Sequence, residues 1–418
     1  MDRRTVLRLA VTSGMTTAGV VPAIAASARR PPAPETRDIR FTRWDATTFA
    51  TGTADGTVLA GGALAIGSPI GQTAYNGMTY DYATWTSPPV ALAFAATEAI
   101  ASWTAATPGN TWVQVELRGV TELGTTTKWY VLGQWAASDQ FIRRTSVGGQ
   151  GDADGSIAID TFVAAAGHGL TSYELRITLY RAAGSTLTPQ LSTVGAVASR
   201  LPEPGAVAAS TPQAAQGVIL TVPQYSQNIH AGEYPEYNGG GEAWCSPTST
   251  SMVVASWGTG PTPADYAWVD PSFADPWVDH AARSTYDLNY DGCGNWPFNT
   301  AYAGTFGLQG FVTRLRSQTE AEQFIAAGIP LVFSLSFKKG KIPGLTYGTN
   351  GHLLVLIGFT ASGQPVLNDP ASPDDASVRK TVGRAEFEAA WLDTSRGVVY
   401  VIHPASVALP PAPAQANW

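Results

Sequence analysis

Four residues in the second half of this 418-residue chain could together perform thiol chemistry: Gln227, Cys245, His352 and Asp369. Nucleophilic cysteine catalysis needs a thiolate, a base for the thiol proton, a polar group that orients the base, and donors for the oxyanion. Cys245 stands in Trp244-Cys245-Ser246-Pro247-Thr248-Ser249, after Gly239, Gly240 and Gly241 and ahead of small and apolar residues that run to Gly258. Consecutive glycines read as a loop, Pro247 suits the first turn of a helix and Gly258 suits its stop. Cys245 is thereby expected at a helix N-terminus, where unpaired N–H groups and the helix dipole favour a thiolate. The alternative for a lone cysteine is a small hydrophobe packed beneath the helix.

The elements that must position the other three follow from local pattern. His352 opens an apolar run after Asn350 and Gly351, which reads as a buried strand holding the imidazole rigidly at its start. Seventeen residues on, Asp369 lies in Gln364-Pro365-Val366-Leu367-Asn368-Asp369-Pro370-Ala371, which reads as the neighbouring strand, joined to the first through the turn Thr360-Ala361-Ser362-Gly363. A hairpin here returns Asp369 alongside His352. Asn368 is the alternative orienter, since neighbouring strand residues face opposite ways and only one of the two can meet the ring. Gln227, in an extended segment upstream, could present its amide to an oxyanion beside the Cys245 N–H, with Gln224 as the weaker choice. His168, His230, His280 and His403 have less rigid settings.

These motifs carry a resemblance. Val222-Pro223-Gln224-Tyr225-Ser226-Gln227, the Trp244 to Ser249 motif before a helix, Gly351-His352 before an apolar strand, and Asn368-Asp369-Pro370-Ala371 resemble the papain-like cysteine peptidases related to bacteriocin-processing, double-glycine-cleaving peptidases, in a secreted actinobacterial type with an N-terminal β-sandwich domain. The resemblance covers about 218–403 and implies Cys245 as nucleophile, His352 as general base, Asp369 as its orienter and Gln227 as an oxyanion donor. Many relatives have glycine directly after the nucleophile where this chain has Ser246, and the gap from Gln227 to Cys245 is long. The transporter segments that accompany bacteriocin processors are lacking, so leader cleavage coupled to export is not implied.

Composition frames the rest. The formal net charge is −7, with 25 Lys and Arg against 32 Asp and Glu and no basic run, which argues against nucleic acid as a partner. Arg3 and Arg4 precede a mildly apolar stretch with small-x-small cleavage candidates at 23–25 and 26–28, which reads as a twin-arginine signal peptide over 1–28. No later run is apolar for long enough to span a bilayer. A linker is expected at 29–38, a β domain at 39–200, a flexible Ala-, Ser- and Pro-rich linker at 201–217, the peptidase-like domain at 218–405 and a Pro- and Ala-rich tail at 406–418.

The runs 112–118, 128–132, 156–162 and 173–180 alternate apolar with polar residues and each reads as a strand. The expected fold class is therefore multidomain: an N-terminal all-β sandwich, jelly-roll-like, followed by an α+β papain-like domain. Trp85, Trp103, Trp112, Trp129 and Trp135 read as core residues with sugar stacking as the alternative, and Gly151-Asp152-Ala153-Asp154-Gly155 reads as a turn, lacking the later carboxylates of a calcium loop. Trp268, Trp277, Trp296 and Cys293 lie in the aromatic stretch 261–303, expected either to wall the substrate cleft or to cap the domain. Only two cysteines are present, and the enzyme reading requires Cys245 free of Cys293.

The expected function is a secreted cysteine peptidase cleaving peptide or isopeptide bonds through an acyl-thioester, with a peptide or protein substrate, cell-wall peptide included. No cofactor or metal site is read from the sequence. A glycan at the first domain is a further candidate partner, and the alternative function is a non-catalytic surface or glycan-binding protein on an idle papain-like scaffold.

Overall fold

The computed structural model describes residues 36–205 and 208–418. The expected signal peptide at 1–28 and the linker as far as residue 35 lie outside the described residues.

From Asp38–Asp45 to Gln190–Arg200 the regular structure is strand, apart from one 3-10 turn at Phe49–Thr51. The strands form two seven-stranded sheets. Period-two alternation puts Val113, Val115 and Leu117 of Thr111–Thr121, with Leu175, Ile177 and Leu179 of Leu170–Ala182, on the buried face of one sheet. They share a core with Ala99, Ala101 and Trp103 and with Val194, Ala196 and Ala198 from the other. Trp85, Trp103, Trp112 and Trp135 are buried, while Trp129 is half-buried, with the Arg118 and Arg176 guanidinium groups 4.6 and 4.4 Å from its ring centre.

One expected strand is divided. The run 156–162 is a tight hairpin of Gly155–Ala158 and Thr161–Ala164, with Ala158 opposite Thr161 and Ile159 turned to φ 63°. The apolar alternation continues through the turn, which hid it. Before this hairpin, Asp152 Oδ1 accepts from the Asp154 and Gly155 N–H groups and from Tyr130 Oη, while Lys128 Nζ lies 3.0 Å from Oδ2. The carboxylate is committed to a turn.

The second domain has, in chain order, α1 (Cys245–Ser256), α2 (Pro276–Thr285), α3 (Trp296–Gly304), β1 (Leu308–Arg314), α4 (Gln318–Ala326), β2 (Leu331–Phe337), β3 (Thr349–Phe359), β4 (Pro365–Asn368), β5 (Arg379–Thr381), α5 (Arg384–Thr394) and β6 (Val398–Pro404). The strands form one antiparallel sheet in the order β1-β6-β2-β3-β4-β5. β3 is central, and Leu353 to Phe359 are all buried or nearly so. α1 is buried from Ser246 to Val254 although five of those nine residues carry hydroxyls. Three of the hydroxyls are paired inside the fold: Ser246 Oγ with Tyr400 Oη at 2.9 Å, Ser249 Oγ donating to Leu353 O at 3.1 Å, and Thr250 Oγ1 to Asn299 Oδ1 at 3.2 Å.

The two halves are fused. Phe298 and Ala301 of α3 enter the core of the first domain, with Phe298 against Trp103, while Ile39, Phe41, Ile100 and Val197 join the core of the second. Arg144 is buried and donates to Ala136 O, Ala137 O and, across the boundary, Arg283 O. Asp287 Oδ1 accepts from both N and Oγ of Ser146.

The connector after residue 207, expected to be flexible, is laid against the second domain. Glu388 accepts from Ser210 N, Glu322 accepts from Gln213 N and Ala214 N, and Arg384 donates to Ser210 O. The tail is tied too: Arg316 donates to Gln415 O, Asn417 Nδ2 to Arg314 O, and Trp418 packs edge-on against Phe324. Composition suggested loose segments because it cannot report bonds made to residues a hundred or more positions away.

Candidate active site

Cys245 is the first residue of α1, after the short 3-10 turn Gly241–Ala243. Its helix ends as expected, with Gly258 at φ 71°. Gly241 admits no side chain, since a Cβ there would sit 2.3 Å from Gln227 O and 2.6 Å from His230 O. The loop that delivers Cys245 is therefore pressed against the segment that carries Gln227. Ser249, one turn into α1, fastens the helix to β3 at Leu353, the residue after His352. The sulfur-bearing helix end and the imidazole-bearing strand start are thus held together by one hydrogen bond and their shared core.

His352 is buried at the inner end of the exposed start of β3, where Asn350 and Gly351 face solvent. Its Nε2 lies 2.8 Å from Asp369 Oδ1. The β3–β4 pairing sets this contact: Val355 faces Asn368, and Asp369 follows directly. The second ring nitrogen, Nδ1, is left for the thiol. Burial pushes the His352 pKa down, but the hydrogen bonds to Asp369 and to Cys245, with their charges, outweigh it and hold the ring at about 10. Asp369 is held below the ordinary carboxylate range: burial pushes it up, and His352, the Ala371 N–H and the Tyr347 hydroxyl outweigh that.

Asn368 faces the other way, donating to Val222 O and Pro223 O. Gln227 is buried at the opposite side of the loop, its Nε2 donating to Glu242 O at 2.8 Å and its backbone N–H to Pro370 O at 2.9 Å. One amide hydrogen is thus spent on orienting the side chain and one remains. Gln224 is half-buried. Ser246, in place of the glycine of many relatives, is buried against Tyr400 rather than turned outward.

Sequence reasoning missed Tyr347. Its hydroxyl lies 3.1 Å from both oxygens of Asp369 and its ring stands edge-on to His352, with centres 5.8 Å apart. It sits in the irregular stretch between β2 and β3, where no periodicity marks it. Burial, followed by the neighbouring Asp369 charge, pushes its phenol well up, so it stays a donor.

Both cysteines are free. Cys293 is buried, with its thiol directed at Ala282 O, and burial pushes that thiol far above the ordinary range. His168 pairs with Asp154, and His403 contacts Pro404 O and Val407 O. His280 contacts Tyr302 Oη, and its burial lowers the pKa to about 4. Of the aromatic stretch, Trp296 is core, Trp277 helps line a cavity of about 420 Å³ beside α1, and Trp268 faces a groove between the domains. Among the described residues no helix is long and apolar enough to cross a membrane.

Residues 40–199 match the family model of the peptidase C39 N-terminal domain, and residues 219–399 match that of the Peptidase_C39 like family. No curated protein matches. A crystal structure described as a C39-like peptidase from Bacillus anthracis is similar at 17% identity over 44% of this chain and 97% of its own, with a TM-score of 0.28, too low to bear on the fold. The two domain matches together identify a chain whose first half is a peptidase C39 N-terminal domain and whose second half belongs to the C39-like peptidase family.

Proposed function

We propose that this protein is an exported, papain-like cysteine peptidase, a β-sandwich buttressing a catalytic α+β domain, that hydrolyses peptide or isopeptide bonds through Cys245, His352 and Asp369. The observation that carries the reading is the 2.8 Å contact between His352 Nε2 and Asp369, which leaves Nδ1 for the sulfur. A carboxylate on the far nitrogen fixes both the tautomer and the ring plane, and favours the imidazolium that the reaction needs.

The sulfur, as thiolate beside that imidazolium, attacks the scissile carbonyl carbon and pushes its electron pair onto oxygen. The Cys245 N–H, first in its helix, and the remaining amide hydrogen of Gln227 receive the oxyanion. Collapse of the tetrahedral species breaks the C–N bond, and the His352 proton goes to the departing amine. His352 then takes a proton from water, which attacks the thioester and releases the acid and the thiolate. Cell-wall peptide and secreted protein are the substrate classes an exported enzyme meets, and the twin-arginine pattern at Arg3 and Arg4 supports export of an already folded chain.

The test is an acid-quench experiment with cell-wall stem peptides and an unstructured protein as substrates. Mass spectrometry of the quenched chain is expected to find an acyl group on Cys245 and none in Cys245→Ser. Absence of both adduct and cleavage across these substrates, with a freely alkylatable thiol, would leave the chain a scaffold.

A further inference from the structure

A second cluster of chemistry-bearing side chains lies beside the proposed active site and takes no part in it. His230 ends the 3-10 turn Gln227–His230, Glu233 follows three residues later, and Asp279 reaches in from α2. One ligand atom from each lies within 4.8 Å of the other two. His230 and Asp279 side chains are fully buried and that of Glu233 is 10% exposed. His230 Nδ1 is 2.8 Å from Glu233 Oε2 and 3.4 Å from Asp279 Oδ2, so one ring nitrogen faces two carboxylates at once.

A proton on Nδ1 serves only one of them. It bonds Glu233 at 2.8 Å and leaves Asp279, fully buried, with no conventional hydrogen bond to either oxygen and only the longer 3.4 Å contact to the ring. An isolated buried carboxylate is costly, and a second carboxylate at its side makes it more so. A cation serves all three. Ligands about 2.0–2.2 Å from a zinc-class ion stand roughly 3 Å apart, which the two spacings from Nδ1 match. One imidazole with two carboxylates suits a first-row divalent ion better than calcium or magnesium, which take oxygen donors alone.

We infer that His230 Nδ1, Glu233 and Asp279 form a binding site for a first-row divalent cation of the zinc class. Such an ion ties the segment that bears Gln227 to α2, and His230 O is also the atom on which Gly241 rests, directly ahead of Cys245. The site is independent of whether Cys245 reacts, because none of its ligands takes part in the thiol chemistry. No spacing motif announces it, since its third ligand comes 46 residues after the second.

The experiment titrates Co²⁺ into the metal-stripped full chain carrying Cys245→Ser, which removes the competing thiolate. Expected is about one equivalent of bound cobalt with visible d–d bands and no sulfur-to-metal charge transfer. Binding should raise the thermal midpoint, and Zn²⁺ should displace the cobalt. The isosteric Asp279→Asn should lose nearly all the binding and the thermal shift, and so should Glu233→Gln, at the least buried of the three positions should the first variant fold poorly. Absence of binding, or binding unchanged in a folded variant, would overturn the assignment.

Discussion

The Tyr347 hydroxyl and the Asp369 carboxylate meet at 3.1 Å to each oxygen, and through Asp369 the phenol fixes the imidazole of His352. Tyr347 acts only by positioning. Tyr347→Phe keeps the ring packing and removes one donor to a charged acceptor, an interaction worth about 1.5–3 kcal/mol. The expected result is a fall of about tenfold or more in kcat with KM nearly unchanged, read by steady-state kinetics on a cleaved peptide.

Asp369→Asn should be more severe. The amide cannot stabilise the imidazolium, so the His352 pKa falls from about 10 and kcat drops by about 10³-fold. The fold should persist, as judged by an unchanged circular dichroism spectrum, because Asp369 is one hydrogen-bonded group at the end of β4.

Gln227→Ala removes the amide proposed to meet the oxyanion, together with its bond to Glu242 O. A loss of about 10²-fold in kcat is expected, with little change in KM. An equal rise in KM instead would mark Gln227 as a substrate-binding group.

Stability should depend on pH on both sides of neutrality. The His352 pKa is raised from 6.5 to about 10, so the folded chain binds the extra proton between those values; the stabilisation is whole below about 6.5 and is lost as pH rises through about 10. His280 is lowered to about 4, so the unfolded chain takes up its proton first and stability falls as pH drops from 6.5 towards 4. Urea midpoints across this range should fall at both ends. His352→Ala should flatten the alkaline limb and His280→Gln the acid one.

Arg144→Met leaves the carbonyls of Ala136, Ala137 and Arg283 without their donor inside a joint between the domains. A cost of about 2–3 kcal/mol is expected in urea unfolding. Since the two cores are interleaved, unfolding should remain a single transition.

Much of the site was readable because its signals are local. Gly241, Pro247 and Gly258 bracket a helix around Cys245, and the turn at 360–363 folds Asp369 back beside His352. Tyr347, the Glu322 and Glu388 clamps on the connector, and the His230 cluster are contacts between segments with no shared period, so only the folded chain brings them into view. The 156–162 run misled for the opposite reason, since its alternation was regular while its backbone turned at Ile159.

The central claim is that the Cys245 sulfur faces an imidazolium kept charged by Asp369, and its most direct test is the pH dependence of Cys245 alkylation by iodoacetamide. Wild type is expected to be alkylated many-fold faster than His352→Ala while the imidazolium persists, with the advantage fading as pH rises through about 10. Identical pH profiles for the two proteins would contradict the account.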